Sequence, residues 1–123
     1  MRIEIDTQSQ VPIYEQLRDQ VVFGIASKKL VPGQNLPSAR KLAAELGVNF
    51  HTVNKAFALL ADEGFIVMDR RKGAIVSDKI SSDKTILSEK LKLVAAEALC
   101  RGMDDMNFVA LCIQSFRSAK GEA

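Results

Sequence analysis

The stretch LPSARKLAAELGVNFHTVNKAFALLADEG, Leu36–Gly64, decides the fold. Ser38 follows Pro37 and carries a hydroxyl that can accept from an unpaired N–H of a helix's first turn, so a short helix is expected to begin there. Leu42, Ala43 and Leu46 supply its apolar side, and Gly47 stands where a left-handed C-cap residue is wanted. Two residues later Asn49 can cap another helix, expected to run to Glu63 and stop at Gly64. Two short helices joined by a tight glycine turn read as a helix-turn-helix.

The flanks extend that unit. Phe65–Met68 and Ala74–Val76 read as two brief strands with Asp69–Gly73 as the charged turn between them, a hairpin placed where a wing belongs. Upstream, Met1–Asp6 alternates Ile3 and Ile5 with Arg2, Glu4 and Asp6, the period of a short half-buried strand. Pro12 suits a helix start, and Ile13, Leu17, Val21 and Gly24 fall on one face of a helix reaching about Lys28. Val31-Pro32-Gly33 ends it in a turn. After Val76 a serine-containing linker without apolar period runs to about Lys84, and two further helices are expected over Thr85–Arg101 and Asp104–Ala119, broken at Gly102. The expected architecture is mostly α with a small β wing: a winged helix-turn-helix over residues 1–78, then a two-helix tail over residues 79–123.

Bulk composition fits a folded protein, with 47% hydrophobic and 26% charged residues. A net charge of +2 announces no nucleic-acid partner, so distribution matters more. Lys28, Lys29, Arg40, Lys41 and Lys55 face only Glu45 over residues 28–55, and 70–72 read Arg-Arg-Lys. Cys100 and Cys112, twelve positions apart, match no zinc spacing and make no disulfide framework, and two free, mostly buried thiols are expected. No membrane-spanning run or signal-peptide core appears, which points to a cytoplasmic protein.

On a wheel of about 100° per residue, Val53, Ala56, Phe57 and Leu60 gather on one side of the third helix and are expected to face the core. His51, Asn54, Lys55, Ala58 and Asp62 take the opposite side, polar and cationic at the N-terminal end and acidic at the far end. A major-groove helix needs that gradient, because its N-terminal residues meet base edges. Asn can pair two-pronged with adenine and Thr can touch a thymine methyl. An ordinary amphipathic helix with a solvated face has the same pattern, and context separates the two. Arg40 lies one turn into the preceding helix beside Ser38, where a phosphate can be received. Arg70, Arg71 and Lys72 occupy the hairpin tip, and Gly73 permits close backbone approach to a nucleic acid. Basic elements thus recur at the spacing of helix, turn, helix and wing.

These residues resemble the GntR family of bacterial regulators, most closely its short YtrA-type branch. Ile3-Glu4-Ile5-Asp6 and Pro12-Ile13-Tyr14-Glu15-Gln16-Leu17 match the family's opening, and Leu36–Ala43 matches Leu-Pro-Ser-x-Arg-x-Leu-Ala with Ala39 at the variable position. Gly47-Val48-Asn49, Thr52-Val53, Ala56-Phe57, Glu63-Gly64 and Lys72-Gly73-Ala74-Ile75-Val76 complete the match over about residues 3–76. The resemblance implies phosphate contact by Arg40 and DNA contacts by Asn49, His51, Thr52 and Asn54 and by the wing around Arg71–Gly73. Ser38, Phe50, Lys55 and Arg70 complete the DNA-contacting set assigned here. Phe50 and His51 stand where the branch commonly has Pro and Asn, and Arg71 stands near a usual wing glycine.

Larger members of that family carry a ligand-sensing or aminotransferase-like domain after the wing, whereas only the 45 residues from Lys79 onward follow here, too few to enclose a usual metabolite pocket. Leu87, Leu91, Val94 and Ala98 form a near-heptad stripe on the first tail helix. On the second, Met106, Val109, Ala110, Ile113 and Phe116 make one face, and Phe108 and Leu111 another. Two apolar faces exceed what one hairpin can bury, so a homodimer seam is expected, as the YtrA-type resemblance implies; the alternative packs one face onto the winged domain of the same chain. The expected function is sequence-specific binding of double-stranded DNA as a transcription regulator, a repressor bound as a homodimer to an inverted-repeat operator. The rival is a winged-helix module that docks proteins without DNA, against which Lys55, Arg71 and Lys72 argue. An enzyme is set aside: the lone histidine has no Cys, Asp or Glu company for a metal or a triad, no phosphate-cradling glycine loop appears, and no metal or cofactor is expected.

Overall fold

The computed structural model describes residues Ile3–Glu122. Among them the elements follow in the order α1 (Ile13–Ala26), α2 (Ala39–Leu46), α3 (Phe50–Asp62), β1 (Ile66–Asp69), β2 (Gly73–Val76), α4 (Thr85–Cys100) and α5 (Asp105–Ala119). Close packing divides the chain into two units, one reaching Ile80 and one starting at Ser81.

Local capping sets the boundaries in the first unit. The Ser38 hydroxyl accepts from the Lys41 N–H at 3.1 Å, and Gly47 closes α2 at φ 68°, a left-handed turn that glycine enters without penalty. Two residues, Val48 and Asn49, separate that glycine from α3, whose N-cap Asn49 accepts from the His51 N–H at 2.8 Å. The inner face of α3 then forms the centre of the core: Val53, Ala56 and Leu60 are fully enclosed and Phe57 nearly so. Leu17 and Val21 of α1, Leu30, Leu36, Leu42 and Ala43 pack around it, with Ile66, Ala74 and Val76 of the hairpin. Each buried leucine, isoleucine or valine side chain contributes about 1.5–3 kcal/mol. At Gly24 a Cβ would lie 2.9 Å from Leu30 Cδ1, so the apolar row of α1 ends in a residue that leaves Leu30 room to bury.

The hairpin pairs antiparallel, with Ile66 opposite Val76 and Asp69 opposite Gly73. A third segment joins it. Gly33 and Leu36 donate to the Val76 and Ala74 carbonyls and Val76 donates to Gln34, each at 2.9 Å, with an isolated bridge between Asn35 and Ile75. The wing is thereby tied to the chain just ahead of α2, which sequence periodicity does not reveal.

The N-terminal segment departs from expectation. Ile3–Asp6 forms no named strand, and Met1 and Arg2 of that stretch lie outside the described residues. Its backbone is instead held by side chains of α1. Glu4 N–H donates to Gln20 Oε1 at 2.8 Å and Asp6 N–H donates to Gln16 Oε1 at 2.9 Å, while the Gln20 amide returns a bond to the Glu4 carbonyl. Ile3 and Ile5 still pack on the core, so the alternation correctly reports half-burial while a helix, not a strand, supplies the hydrogen bonds.

In the second unit Asp104 caps α5 by accepting from the Asn107 N–H at 2.8 Å, and Gly102 at φ 82° turns the chain out of α4. Of α4 only Ala98 is buried, and of α5 nothing. Close backbone packing links α1 with α3, α2 with α3, and α3 with β1, but does not run along α4 and α5. The expectation of buried thiols is therefore wrong within this chain: Cys100 is exposed and Cys112 half-buried, because no neighbour closes over them.

Candidate nucleic-acid interface

Burial of Val53, Ala56, Phe57 and Leu60 turns the other side of α3 outward, and His51, Asn54, Lys55, Ala58 and Asp62 are all exposed, with Thr52 half-buried. Two of the polar groups are partly committed. The Asn49 oxygen caps α3, leaving its amide N–H groups available, and the Ser38 oxygen caps α2, leaving its O–H free to donate.

Three residues of the expected set meet across the helix-turn-helix. The Arg40 guanidinium lies 4.6 Å from the Phe50 ring centroid, and the Phe50 and His51 rings sit edge to face at 5.7 Å. Lys55 is placed differently. Its ammonium rests 4.1 Å over the Tyr14 ring of α1. That contact bends a long cation back along its own domain and holds its charge near the start of α1.

Arg70, Arg71, Lys72 and Gly73 form a second cluster at the tip of the β1–β2 turn, all exposed. The Asp69 carboxylate organises this tip by accepting from the Arg71 N–H at 2.7 Å and the Lys72 N–H at 2.9 Å. These bonds, that from Lys72 first, hold the carboxyl below its usual range. The Asn35 amide donates to the Lys72 carbonyl and fixes the turn from the other side. Asp69 carried a readable signal, an Asp two residues ahead of the N–H it caps. Asn35 and Tyr14 carried none, because their partners lie far away in sequence.

A fourth arginine is neutralised. Arg18 of α1 donates a fork to Glu63 at 2.9 and 3.0 Å and a further bond to Asp19 at 2.9 Å, and its guanidinium lies 5.5 Å from the Phe65 ring centroid. The Glu63 hydrogen bond is the chief reason its pKa is raised. Arg18 thus clamps α1 to the end of α3. Among the described residues no carboxylate lies within ion-pair distance of Arg40, Arg70, Arg71 or Lys72, although the Asp69 carboxylate feels the Lys72 charge from farther off.

The residues expected at a dimer seam divide in the same way. Leu87, Leu91, Val94, Met106, Val109, Leu111, Ile113 and Phe116 are exposed, whereas Phe108 is half-buried and Ala98 buried. Ala98 and Phe108 line a small cleft near the Gly102 turn together with Ala95 and Met103. A larger apolar groove of about 980 Å³ opens between α4 and α5, lined by Leu91, Val94, Phe108, Leu111, Ile113 and Phe116. No helix of the described residues is long and apolar enough to cross a membrane.

Comparison with known proteins places this geometry. Residues 13–76 match the family model "Bacterial regulatory proteins, gntR family". The HTH-type transcriptional repressor YtrA of Bacillus subtilis is 34% identical over 107 residues, covering 83% of this chain and 82% of its own. A crystal structure described as a transcriptional antiterminator from Listeria monocytogenes superposes with a TM-score of 0.88 at 28% identity, covering 100% of this chain and 96% of that one. The DNA-binding domain of AraR in complex with operator ORX1 superposes with a TM-score of 0.56 at 26% identity, covering 63% of this chain and 99% of that one.

Proposed function

Because the chain belongs to the GntR family of bacterial regulatory proteins, and is a DNA-binding transcription regulator and not an enzyme, we propose that it acts as a homodimeric repressor. In this reading it binds an inverted-repeat operator, with α3 laid in the major groove. The observation that carries the reading is the two-sidedness of α3: one face is sealed into the core, so within this helix only the outward row His51, Asn54, Lys55, Ala58 and Asp62, with Asn49 and Thr52 at its start, can meet DNA. Asn54 and His51, exposed near the helix start, face base edges. Arg40, with Ser38 beside it, and Arg71 and Lys72 at the wing tip neutralise phosphates, which are alike in every sequence. Lys55, whose ammonium rests over the Tyr14 ring of α1, belongs to the phosphate set in this reading.

The tail supplies the second subunit. Leu87, Leu91, Val94, Val109, Leu111, Ile113 and Phe116 stand exposed along α4 and α5, a run of apolar side chains of the kind that marks an interaction surface. A two-fold copy covers it and brings two winged units to matching half-sites.

Selection of duplexes from a random library by the full chain tests the reading. Recovery of an inverted repeat bound by two chains is expected; a single asymmetric site bound by one chain would refute the dimeric mode. On the recovered duplex, Asn54→Ala is expected to cost about 1–3 kcal/mol and to relax preference at one position. Lys72→Ala is expected to weaken recovered and scrambled duplexes alike and to lower the salt slope by about one. Identical profiles for the two variants would overturn the division of roles between helix and wing.

A further inference from the structure

We propose that Phe50 is a positioning residue for DNA recognition: its ring holds the Arg40 guanidinium of α2 and abuts the His51 imidazole of α3, so that a phosphate-binding group and a base-facing group arrive as one unit. The inference rests on the DNA-binding reading above. Two arginine–phenylalanine pairs in this fold carry it by contrast. Arg18 lies over Phe65 and is fully answered by Glu63 and Asp19. Arg40 lies closer over its ring, at 4.6 Å, is exposed, and has no carboxylate partner among the described residues. A charge that is held in place yet left without a counter-ion is arranged for an anion from outside.

The geometry suits a phosphate. A guanidinium resting over an aromatic face keeps its donors directed away from the ring, free for a forked bond to a phosphate. The ring is itself anchored, because Phe50 opens α3 and packs half-buried against the core. Its other neighbour, His51, is fixed at the backbone by the Asn49 cap and at the ring by the edge contact. Phe50 contacts no base in this arrangement; it limits the conformations from which Arg40 and His51 start.

A double-mutant cycle on the full chain tests this, with affinity measured for the library-selected duplex and for a scrambled duplex. Phe50→Leu keeps an apolar side chain and removes the ring. It is expected to weaken both duplexes about three- to tenfold, the range of a partly exposed cation–π contact, and to blur selection at one base position. In an Arg40→Ala background the same change is expected to matter less than about twofold, and Phe50→Tyr should bind within about twofold of the unaltered chain. Arg40→Lys leaves the Phe50 packing intact but replaces the flat cation, and about a threefold loss is expected. A merely structural Phe50 would cost the same factor in both backgrounds, and that result overturns the positioning role. Full affinity for Arg40→Lys would overturn it as well, even if Phe50→Leu failed to fold. Lack of duplex binding by the unaltered chain would refute the DNA-binding reading together with this one, whereas equal factors in a chain that binds would refute only this one.

Discussion

Helices α3 and α5 are written in nearly the same local code and end in opposite circumstances. Each begins at a side-chain cap, Asn49 in one and Asp104 in the other, and each has about the same length and carries apolar residues along its course. In α3 four of those residues are buried, because α1, α2 and the hairpin converge on it. In α5 none is buried. Apolar periodicity therefore reports that a helix has something to bury, and only the number of elements surrounding it decides whether one chain can do so.

The contrast makes its largest forecast in the core. Leu60→Ala is expected to lower the stability of the winged unit by about 2–5 kcal/mol in thermal or urea unfolding, since nothing can move in to fill the space. Leu111→Ala in the tail should leave that same transition in place. A small Leu60 effect, or a tail variant that melts the winged unit, would break the comparison. Next in size is Ile113→Glu together with Phe116→Glu, placing two carboxylates on the open face of α5. Self-association is expected to weaken by more than about a hundredfold in light scattering, with helix content kept, because a charge sealed into an apolar seam goes unanswered. A dimer unchanged by both charges would mean that this face stays in water.

A smaller loss is expected at the clamp between α1 and α3. Arg18→Ala removes a partly screened fork and should cost about 1–3 kcal/mol, read as a lower denaturant midpoint with the side chains proposed to contact DNA untouched. The smallest effect concerns the wing tip and pH. Asp69 is held below the ordinary carboxyl value of 3.8 by bonds from Lys72 and Arg71, so its contribution is complete above that value and is lost as pH falls through the lowered one. The amide resonances of Arg71 and Lys72 should be steady at about pH 5 and move only below 3.8, and Asp69→Asn should abolish the movement. Movement at about pH 6 would exclude Asp69 as the group responsible.

Much of the helix-turn-helix was readable because its determinants are local. Ser38, Gly47, Asn49 and Gly64 each act within a few residues of where they stand, and the caps and turns fall at those positions. The wheel of α3 was readable for the same reason. What escaped reading depends on pairs far apart in the chain: Arg40 with Phe50, Lys55 with Tyr14, Asn35 with Lys72, Arg18 with Glu63. No periodicity links such positions, and the fold alone brings them together. The expected N-terminal strand shows the converse error, since alternation of Ile3 and Ile5 records which side is buried and is silent about who accepts the hydrogen bonds. The thiols fail through a wider assumption, that apolar surroundings in sequence are enclosed surroundings in space.

The glutamine tether of the N-terminal segment has a consequence for how the protein responds to ionic strength. Gln16 accepts from Asp6 N–H and donates to the Asp6 and Val11 carbonyls at 3.0 and 2.9 Å, an arrangement in which no formal charge takes part. Attraction to phosphates is dissolved by added salt, and so are exposed ion pairs, but a neutral amide bonded to backbone is almost indifferent to it. Raising the salt should therefore release the nucleic acid while residues 3–6 stay fastened to α1. A carboxylate at position 16 could still accept from Asp6 N–H, but it has no proton to donate to either carbonyl, and the segment's attachment would then become subject to pH.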